Sequence, residues 1–530
     1  MAGTTDPLAG APQLPEPLAA QETVAAPAGN QPREKLWRRP WAPLALAAAL
    51  LTAGLAVYAQ TLAFAWDEGF HLLAAQLIDR GKAPYLDFFF PQAPLNAYWN
   101  AGWMRLFGDT WRTAHAVAAM MAAAAVLLAA QAVYARFPIA RWRLAGALAV
   151  VALVGLNHQL VDYSTIAQGY ALCFFLLVVA YRCALWSVER RGWLLAAAAG
   201  SSVVAAAGAT LLASAAAPIL LLWLLVYNRA GARWTKLAGF LGGAAVPLLP
   251  FLPLLLRAPR ALIFDVFEYH LLYRQVAWSG ATAHDADVLT AWANDPQAIL
   301  LAILVAAGVF FVRFRSDWDR AARAPFYLCG WLALGMGLHI STAHPTFARY
   351  YLLTLPFLAI LAVAGLSYIV SLFARPVRPR WAAAFVSAIL AISLARDLYD
   401  DWDGAEWWGR LEAIARKLDQ VAPRGAPVFA DEAIYFLTRR TPPPGMEHAD
   451  SHKLNLKPQM EKSLHIFPKA ELIRKIAAGD FAAVASCEDS DELDKLGVAA
   501  AFDKKYEDSE QDCVVYWKWK PPPPPPPKKK

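Results

Sequence analysis

Residues 43–61 read PLALAAALLTAGLAVYAQT, a stretch without a charged side chain. A helix rises about 1.5 Å per residue, so a stretch of this length matches the roughly 30 Å hydrocarbon core of a bilayer. Arg38 and Arg39 precede it, and residues 66–71, WDEGFH, follow it. The stretch therefore predicts a membrane-spanning helix that inserts as a signal anchor and is retained.

The composition of the whole chain agrees with a membrane protein. Of 530 residues, 58% are hydrophobic and 17% are charged, and the mean hydropathy is +0.34. A soluble domain carries about 25% charged residues. The 21 tryptophans and 18 tyrosines suit two membrane interfaces. The net charge of +7 comes largely from short basic loops, so it is a topology signal and predicts no nucleic-acid partner.

Similar apolar stretches recur along the chain. We predict an all-α polytopic membrane protein with about eleven transmembrane helices. The predicted spans are residues 43–61, 113–135, 143–157, 164–186, 193–208, 210–228, 236–256, 296–313, 325–341, 349–373 and 381–397.

The loops between these spans alternate in basic content. Residues 157–163 and 341–348 contain no Lys or Arg. The other set is short and basic, with Arg136, Arg141, Arg143, Arg182, Arg190, Arg191, Arg229, Arg233, Lys236, Arg313, Arg315, Arg320, Arg323, Arg375, Arg378 and Arg380. The positive-inside rule then places the N-terminus in the cytoplasm, and an odd number of spans places the C-terminal part outside. We predict a multi-pass protein of the bacterial inner membrane with a periplasmic C-terminal domain.

The chain divides into four predicted segments. Residues 1–40 are expected to be a disordered cytoplasmic leader, and residues 41–397 form the membrane domain. Residues 398–520 are mixed in character and predict a small extracytoplasmic α/β domain. Residues 521–530 form a low-complexity proline and lysine tail, for which a solvated spacer is the simplest interpretation.

The α/β prediction rests on a few elements after the last span. These are an amphipathic helix, Trp407–Leu418, and strands at Ala426–Ala430, Phe481–Ser486 and Cys513–Trp519. Cys487 and Cys513 could form a disulfide if this part lies outside, and both alternatives remain open. Cys173, Cys183 and Cys329 fall in or beside apolar spans and are expected to be small buried side chains.

The loop after the first span carries the densest group of polar and aromatic residues. Its segments are Trp66–His71 (WDEGFH), Tyr85–Phe88 (YLDF), Pro91–Trp99 (PQAPLNAYW) and Leu106–Asp109 (LFGD). The spans themselves are nearly clean Ala, Leu and Val, whereas transporters place polar residues near mid-span. Asp67 and Glu68 could also simply begin an interfacial helix, since carboxylates favour a helix N-terminus.

This arrangement resembles the GT-C glycosyltransferases of the protein-mannosyltransferase and lipid A aminoarabinose-transferase kind, a resemblance of the glycosyltransferase family 39 type. Their first outer loop carries an Asp-Glu pair, a Tyr-x-acidic segment, a proline pair before Leu-x-x-Tyr-Trp, and a Phe-Gly-Asp turn. The aminoarabinose transferases have Glu-Lys-Pro-Pro where this chain has residues 87–94, DFFFPQAP.

The resemblance continues beyond the first loop and covers roughly residues 40–373. Residues 267–274, FEYHLLYR, are similar to a Glu-His-x-x-Arg stretch of the family. Residues 344–351, HPTFARYY, are similar to the Arg-Tyr that opens a late helix, and Asp162 lies where the family often has an acidic residue. The resemblance implies a GT-C catalytic membrane domain with interfacial helices in its outer loops.

The resemblance also implies transfer of a sugar from a polyprenyl-phosphate donor to a lipid, glycan or protein acceptor in the cell envelope. Lipopolysaccharide modification and protein glycosylation are both activities of this type. An acceptor hydroxyl or amine must lose its proton as it attacks, and Asp67 is the candidate general base. Direct displacement would invert the anomeric centre, unlike the two-step retaining route.

Other site residues are assigned by the same resemblance and chemistry. Glu68 is the second catalytic candidate, and a guanidinium can bind the leaving phosphate with two donors. The donor-phosphate candidates are Arg349, Arg274 and Tyr350, and the further site candidates are Tyr85, Asp87, Asp162 and His344. Asp87 and His270 could ligate a divalent metal, and no other cofactor is predicted.

Several of these residues have simpler interpretations. Arg349 could be an interfacial arginine that reaches to the membrane surface, and His270 could be only a hydrogen-bonding group. Trp99, Trp103 and Trp111 with Phe88–Phe90 could lie flat in the interface and form a groove for the lipid. An ordinary aromatic belt fits the same residues.

Two other functions remain to be compared with sugar transfer. A transporter or flippase for a lipid-linked sugar should show repeats between halves of the membrane region, and none is visible. An oligosaccharide polymerase or ligase would use a diphosphate carrier, and the Asp-Glu pair after the first span favours the monophosphate enzymes instead.

Overall fold

The computed structural model describes most of the chain outside the two ends. The described residues are 41–190, 192–228, 233–272, 280–400, 406–454, 456, 458–487, 493, 495–508 and 513–521. The chain divides into two compact units, residues 1–42 and 43–530. The predicted leader, Arg191, Arg229, Arg274 and residues 522–530 of the predicted tail lie outside the described residues.

The membrane part is built of apolar helices joined by shorter ones. In chain order it contains α1 Ala42–Thr61, α2 Glu68–Asp79, α3 Leu95–Phe107, α4 Trp111–Arg136, α5 Arg143–Gly155, α6 His158–Tyr163, α7 Tyr170–Glu189, α8 Leu194–Ala209, α9 Leu211–Tyr227, α10 Arg233–Arg257, α11 Pro259–Ile263, α12 Ala281–Ala291, α13 Pro296–Arg315, α14 Arg320–Ser341, α15 Ala348–Ser371 and α16 Pro379–Asp400.

Each of the eleven predicted spans falls on one of these helices, so the all-α polytopic prediction is confirmed. Within the described residues, seven helices are long and apolar enough to cross a membrane, namely α1, α4, α7, α10, α13, α15 and α16. The remaining four, α5, α8, α9 and α14, are shorter or more polar.

The largest boundary error concerns α7, which begins at Tyr170 and not near residue 164. The segment before it is irregular because its backbone bonds to side chains elsewhere. The carbonyl oxygen of Ala167 accepts hydrogen bonds from Asn96 and Asn100, both at 2.8 Å, and its N–H donates to Glu68. Those bonds replace the intrahelical ones that the apolar pattern predicted.

Two helix pairs of the membrane part approach each other through glycines. A methyl group on Gly365 of α15 would overlap the carbonyl oxygen of Leu304 in α13, and Gly308 of α13 is similarly close to Leu361. Gly200 of α8 meets α10 in the same way. Small residues at such crossings let two backbones pack closely, which is how apolar helices associate without a hydrophobic driving force between them.

The segment between α1 and α4 folds over one end of the helix bundle. It contains α2 and α3, as the outer-loop prediction requires, and the loop between them is buried, including Tyr85 and Phe88–Phe90. The N–H of Phe90 donates to Asp265 at 3.0 Å, in a π-helical turn, Phe264–Glu268, that follows α11. The loop is therefore fixed between two parts of the chain.

This burial corrects the expectation that Phe88–Phe90 and Trp111 lie in the membrane interface. The three phenylalanines are at most 2% exposed, and Trp111 stacks on Trp408 with ring centroids 4.7 Å apart. Trp99 and Trp103 on α3 are partly exposed, and Phe107 is 70% exposed. Of the aromatic residues predicted to form the lipid groove, only Trp99 and Trp103 on α3 are therefore available to lipid.

The C-terminal part contains both helices and strands. Its elements are α17 Trp407–Val421, β1 Val428–Ala430, α18 Glu432–Thr438, α19 Pro458–Ser463, α20 Lys469–Ala478, β2 Ala483–Ser486, α21 Val498–Ala501, β3 Phe502–Asp508 and β4 Cys513–Trp519. The strands form one sheet in the order β1-β2-β4-β3, in which β1 and β2 are parallel and the other pairs antiparallel.

The sheet confirms the small α/β fold and adds one strand to the three predicted. β3 was missed because its sequence, FDKKYED, is charged and exposed on both faces after Phe502, so it lacks the alternation of a half-buried strand. Cys487 and Cys513 form a disulfide that connects the end of β2 to the start of β4. The sequence alone left open whether these two cysteines are bonded, and in the structure they are.

The C-terminal part and the segment after α1 share one hydrophobic core. Trp408 donates its indole N–H to the carbonyl oxygen of Ala63 at 3.2 Å, and Gln76 of α2 donates to Phe436 of α18 at 3.2 Å. Leu411 and Ile434 pack in the same cluster as Leu72. The predicted boundary at residue 398 stays a prediction, and α16 continues to Asp400.

Candidate active site

A cleft of about 250 Å³ lies where the segment after α1 meets the C-terminal part. Its walls come from the first turn of α2, the Pro91–Gln92 turn, the segment before α7, Thr210, and residues 269–270 and 345–350. The C-terminal part contributes Glu432 and His448. Ionisable, aromatic and amide side chains from distant parts of the sequence are thus brought to one place.

Asp67 and Arg349 form an ion pair in this cleft. Arg349 Nη2 donates to Asp67 Oδ2 at 2.7 Å, although the two residues are 282 positions apart in the sequence. Asp67 occupies the N-cap position of α2, yet its side chain makes no capping hydrogen bond. The carboxylate therefore faces the cleft and Arg349, and 48% of its side-chain surface remains exposed.

Arg349 is held by aromatic rings. Its guanidinium carbon lies 4.6 Å from the ring centroid of Phe347 and 5.8 Å from that of Tyr163. Burial raises the pKa of the Tyr163 phenol above its usual range, while the nearby guanidinium opposes that shift. Arg349 Nε is buried without a hydrogen-bond partner among the described residues. The guanidinium thus retains a donor beyond the one that binds Asp67.

Glu68 has a different environment from Asp67. Its side chain is 1% exposed, Oε2 lies 2.8 Å from His115 Nε2, and Oε2 accepts a hydrogen bond from the N–H of Ala167 at 3.0 Å. His115 Nδ1 lies 2.6 Å from the carbonyl oxygen of Ala59. Glu68 does not line the cleft, so the structure places it where it connects α2 to α4 and to the segment before α7.

Another part of the cleft wall is made of stacked rings and a carboxylate. Phe70 stacks on His71, at 4.3 Å between centroids, and on His448, at 5.1 Å. His448 Nδ1 lies 3.5 Å from Glu432 Oε1. Burial lowers the pKa of His71 to about 3, with a smaller contribution from His448. His71 is therefore neutral, and its Nδ1 lies 3.5 Å from the Asn96 amide nitrogen.

The other predicted site residues divide into two groups. Tyr350 and His270 line the cleft. His344 pairs with Asp285 at 2.6 Å, Asp162 accepts a hydrogen bond from Tyr58 at 2.8 Å, and Tyr85 donates to the carbonyl oxygen of Gln92 at 2.6 Å. These last three lie around the cleft and not in its wall. Arg274 lies outside the described residues.

Comparison with known proteins identifies solved structures with a similar fold. No protein-family model matches the sequence, and no curated protein matches it. Two solved structures are similar: ArnT from Cupriavidus metallidurans bound to undecaprenyl phosphate, and ArnT from the same organism in the apo state. The first is 15% identical and the second 16%, both with a TM-score of 0.62 over 90% of this chain. The alignments cover 98% and 97% of those two chains.

ArnT is a glycosyltransferase of the GT-C superfamily. This chain has the GT-C fold. The similarity extends over the membrane helices and into the C-terminal part, because 90% of the chain is covered. In this fold the cleft lies between α2, the start of α15 and the C-terminal part.

The two predicted metal ligands have different surroundings in this GT-C fold. Asp87 is exposed and binds the N–H of Ala83 at 2.7 Å within its own turn, whereas His270 lines the cleft. Among the described residues, no group of three or more His, Cys, Asp or Glu could hold a metal ion. The metal dependence stays a prediction.

Sequence reasoning missed Glu432 and His448. They lie about 80 residues or more beyond Arg349, in a part of the chain without a recognisable motif. A weak signal was present, because Asp431-Glu432 follows an apolar strand directly, and polar residues at strand ends are often functional. Asp431 itself binds Ser486 Oγ at 2.9 Å and the N–H of Cys487 at 2.6 Å, which fixes the position of Glu432.

Proposed function

We propose that this protein is a glycosyltransferase that moves a sugar from a polyprenyl-phosphate donor to a lipid, glycan or protein acceptor at the periplasmic face of the membrane. The ion pair between Asp67 and Arg349 in the wall of the cleft is the observation that carries the proposal. The GT-C fold and a structural neighbour bound to undecaprenyl phosphate support the choice of donor.

Asp67 is the proposed general base. An acceptor hydroxyl or amine attacks the anomeric carbon as the bond from that carbon to the phosphate oxygen breaks. The attacking group loses its proton to a carboxylate within hydrogen-bond reach. Asp67 suits this role because its carboxylate is half exposed in the cleft and is not used as a helix cap. Attack opposite to the leaving phosphate inverts the anomeric centre.

Arg349 is the proposed ligand of the leaving phosphate. Negative charge develops on the phosphate oxygen in the transition state, and a fixed donor placed there lowers the barrier. Arg349 donates to Asp67 through Nη2, and its side chain lines the cleft in which the phosphate would lie. One guanidinium can therefore contact the phosphate and orient the base, which keeps the two reacting ends of the substrate pair close together.

The test compares wild type with Asp67→Asn in reconstituted membranes. The donors are radiolabelled undecaprenyl-phosphate sugars, and both binding of donor and release of undecaprenyl phosphate are measured. We expect Asp67→Asn to bind donor and to transfer sugar about 100- to 10,000-fold more slowly, which is the effect of losing a general base. Asp79→Asn is the matched control, because Asp79 ends the same helix and pairs loosely with Arg105 at 3.9 Å.

Three outcomes would contradict the proposal. If Asp67→Asn transfers sugar as fast as Asp79→Asn, Asp67 is not the base. If wild type transfers no sugar from any monophosphate donor but accelerates movement of the lipid between leaflets, the protein is a transporter. Transfer from diphosphate carriers alone would identify a polymerase or ligase instead.

A further inference from the structure

We propose that Glu432 and His448 of the C-terminal part bind the sugar of the donor, so that this part of the chain selects which sugar is transferred. The inference rests on the proposed function. It assigns a role to two residues that share the cleft with Asp67 and Arg349 and that take no part in the proton transfer or in phosphate binding.

The Glu432–His448 pair lines the same cleft as the proposed reacting centre. Asp67 immediately precedes α2, and Phe70 lies one helical turn further along it, roughly 5 Å away. Phe70 stacks on His448, which lies 3.5 Å from Glu432. A sugar whose phosphate binds Arg349 has its anomeric carbon beside Asp67, and its far hydroxyls then reach the Glu432–His448 pair.

The chemistry of this wall suits a sugar. Ionised carboxylates accept hydrogen bonds from hydroxyl groups, and a neutral or charged imidazole can donate one. Aromatic faces carry negative charge density that attracts C–H groups, and Phe70 and Tyr269 line the same cleft. A sugar presents both features, with hydroxyls around its edge and C–H bonds on its faces.

Glu432 is largely buried in the wall of the cleft. Its side chain is part of a residue only 7% exposed, and a buried carboxylate is costly unless hydrogen-bond donors surround it. Gly69 explains how α18 can come so close to α2, because a Cβ at Gly69 would lie 2.9 Å from the backbone nitrogen of Ala433. The absence of a side chain at Gly69 therefore lets Glu432 approach the first turn of α2.

The experiment measures binding of two probes by the full-length protein in nanodiscs. One probe is undecaprenyl phosphate, and the other is the undecaprenyl-phosphate hexose or pentose that wild type transfers fastest. We expect Glu432→Gln to bind undecaprenyl phosphate as wild type does and to bind the sugar-bearing carrier about 10- to 100-fold more weakly. This range corresponds to one hydrogen bond to a charged group.

The control is Glu471→Gln, which removes the same charge from an exposed pair with Arg474 on α20 and should change neither affinity. Binding of undecaprenyl phosphate also reports whether Glu432→Gln is folded. His448→Asn should show the same selective loss. Equal weakening for both probes, or no weakening for either, would overturn the assignment of Glu432. Failure of wild type to transfer any sugar would instead overturn the proposed function, and the two results are distinguishable.

Discussion

Asp67 and Glu68 are adjacent carboxylates with different surroundings, and helix geometry is the reason. Consecutive residues at the start of a helix point about 100° apart, so one side chain of such a pair faces the cleft and the other faces the interior. Asp67 contacts Arg349 at the cleft wall, whereas Glu68 bonds to His115 inside. Substrate can touch Asp67, and loss of Glu68 would leave His115 and a backbone N–H without their acceptor.

The raised pKa of Glu447 predicts that the stability of the folded protein depends on pH. One substitution should remove this dependence. Burial raises the pKa of its carboxyl from 4.5 to about 7, and the side chain is 4% exposed. The folded state therefore holds a proton that the unfolded state releases above pH 4.5, so stability falls as the pH rises from about 4.5 to 7. The total loss is about 3 kcal/mol, at about 1.4 kcal/mol per pH unit.

Glu447→Gln should abolish this loss, because the amide stays neutral and keeps an oxygen for the N–H of Gly445, now 2.7 Å from the carboxylate. The measurement is thermal unfolding in detergent from pH 4.5 to 8 for both proteins. Their difference isolates Glu447 from His71, whose lowered pKa gives a slope of opposite sign. Parallel curves for wild type and variant would show that Glu447 is ionised in the folded protein throughout.

The close crossing of α13 and α15 predicts that Gly365 tolerates no side chain. A methyl group at this position would overlap the carbonyl oxygen of Leu304, so Gly365→Ala must separate the two helices. Overpacking of this kind costs about 1 to 3 kcal/mol. Thermal unfolding in detergent should show the loss for Gly365→Ala. Gly337→Ala is the control, because a Cβ there meets nothing within 4 Å, and an equal effect of both variants would contradict the prediction.

The elements that could be predicted from the sequence are those that local pattern determines. The apolar spans fix eleven helices because bilayer thickness sets their length, and the first loop carries Asp67 in a recognisable arrangement. The irregular segment before α7 could not be predicted, since its backbone bonds depend on Asn96 and Asn100 far away. Glu432 reaches the cleft through the packing of α18 on Gly69. The sequence around Glu432 does not indicate this long-range contact.

At the scale of the molecule, the C-terminal part and the segment after α1 close the cleft together. Trp111 Nε1 donates to Glu412 of α17 at 3.2 Å, and Trp408 stacks on Trp111. These contacts place the C-terminal part at the same end of the bundle as Asp67. Because the cleft has walls from both parts, the C-terminal part must lie on the same side of the membrane as the loop after α1.

The side of the membrane on which the C-terminal part and the loop after α1 lie can be tested through the cysteines. The predicted topology, with an odd number of crossings from a cytoplasmic N-terminus, would place Cys487 and Cys513 in the periplasm, where disulfides form and persist. Cys173, Cys183 and Cys329 are buried and make no disulfide. We expect protein denatured straight from cells, without reductant, to be alkylated at those three cysteines and protected at Cys487 and Cys513.

Mass spectrometry reads all five positions in one sample, and reduction before alkylation should expose the protected pair. Cys513→Ser supplies the matched control, because it should leave Cys487 open to alkylation without reductant while the three membrane cysteines behave as before. Alkylation of Cys487 and Cys513 in unreduced wild type would place the C-terminal part in the reducing cytoplasm. The cleft would then face the cytoplasm too, since its two walls are joined by Trp408 and Gln76, and a periplasmic transfer reaction would be ruled out.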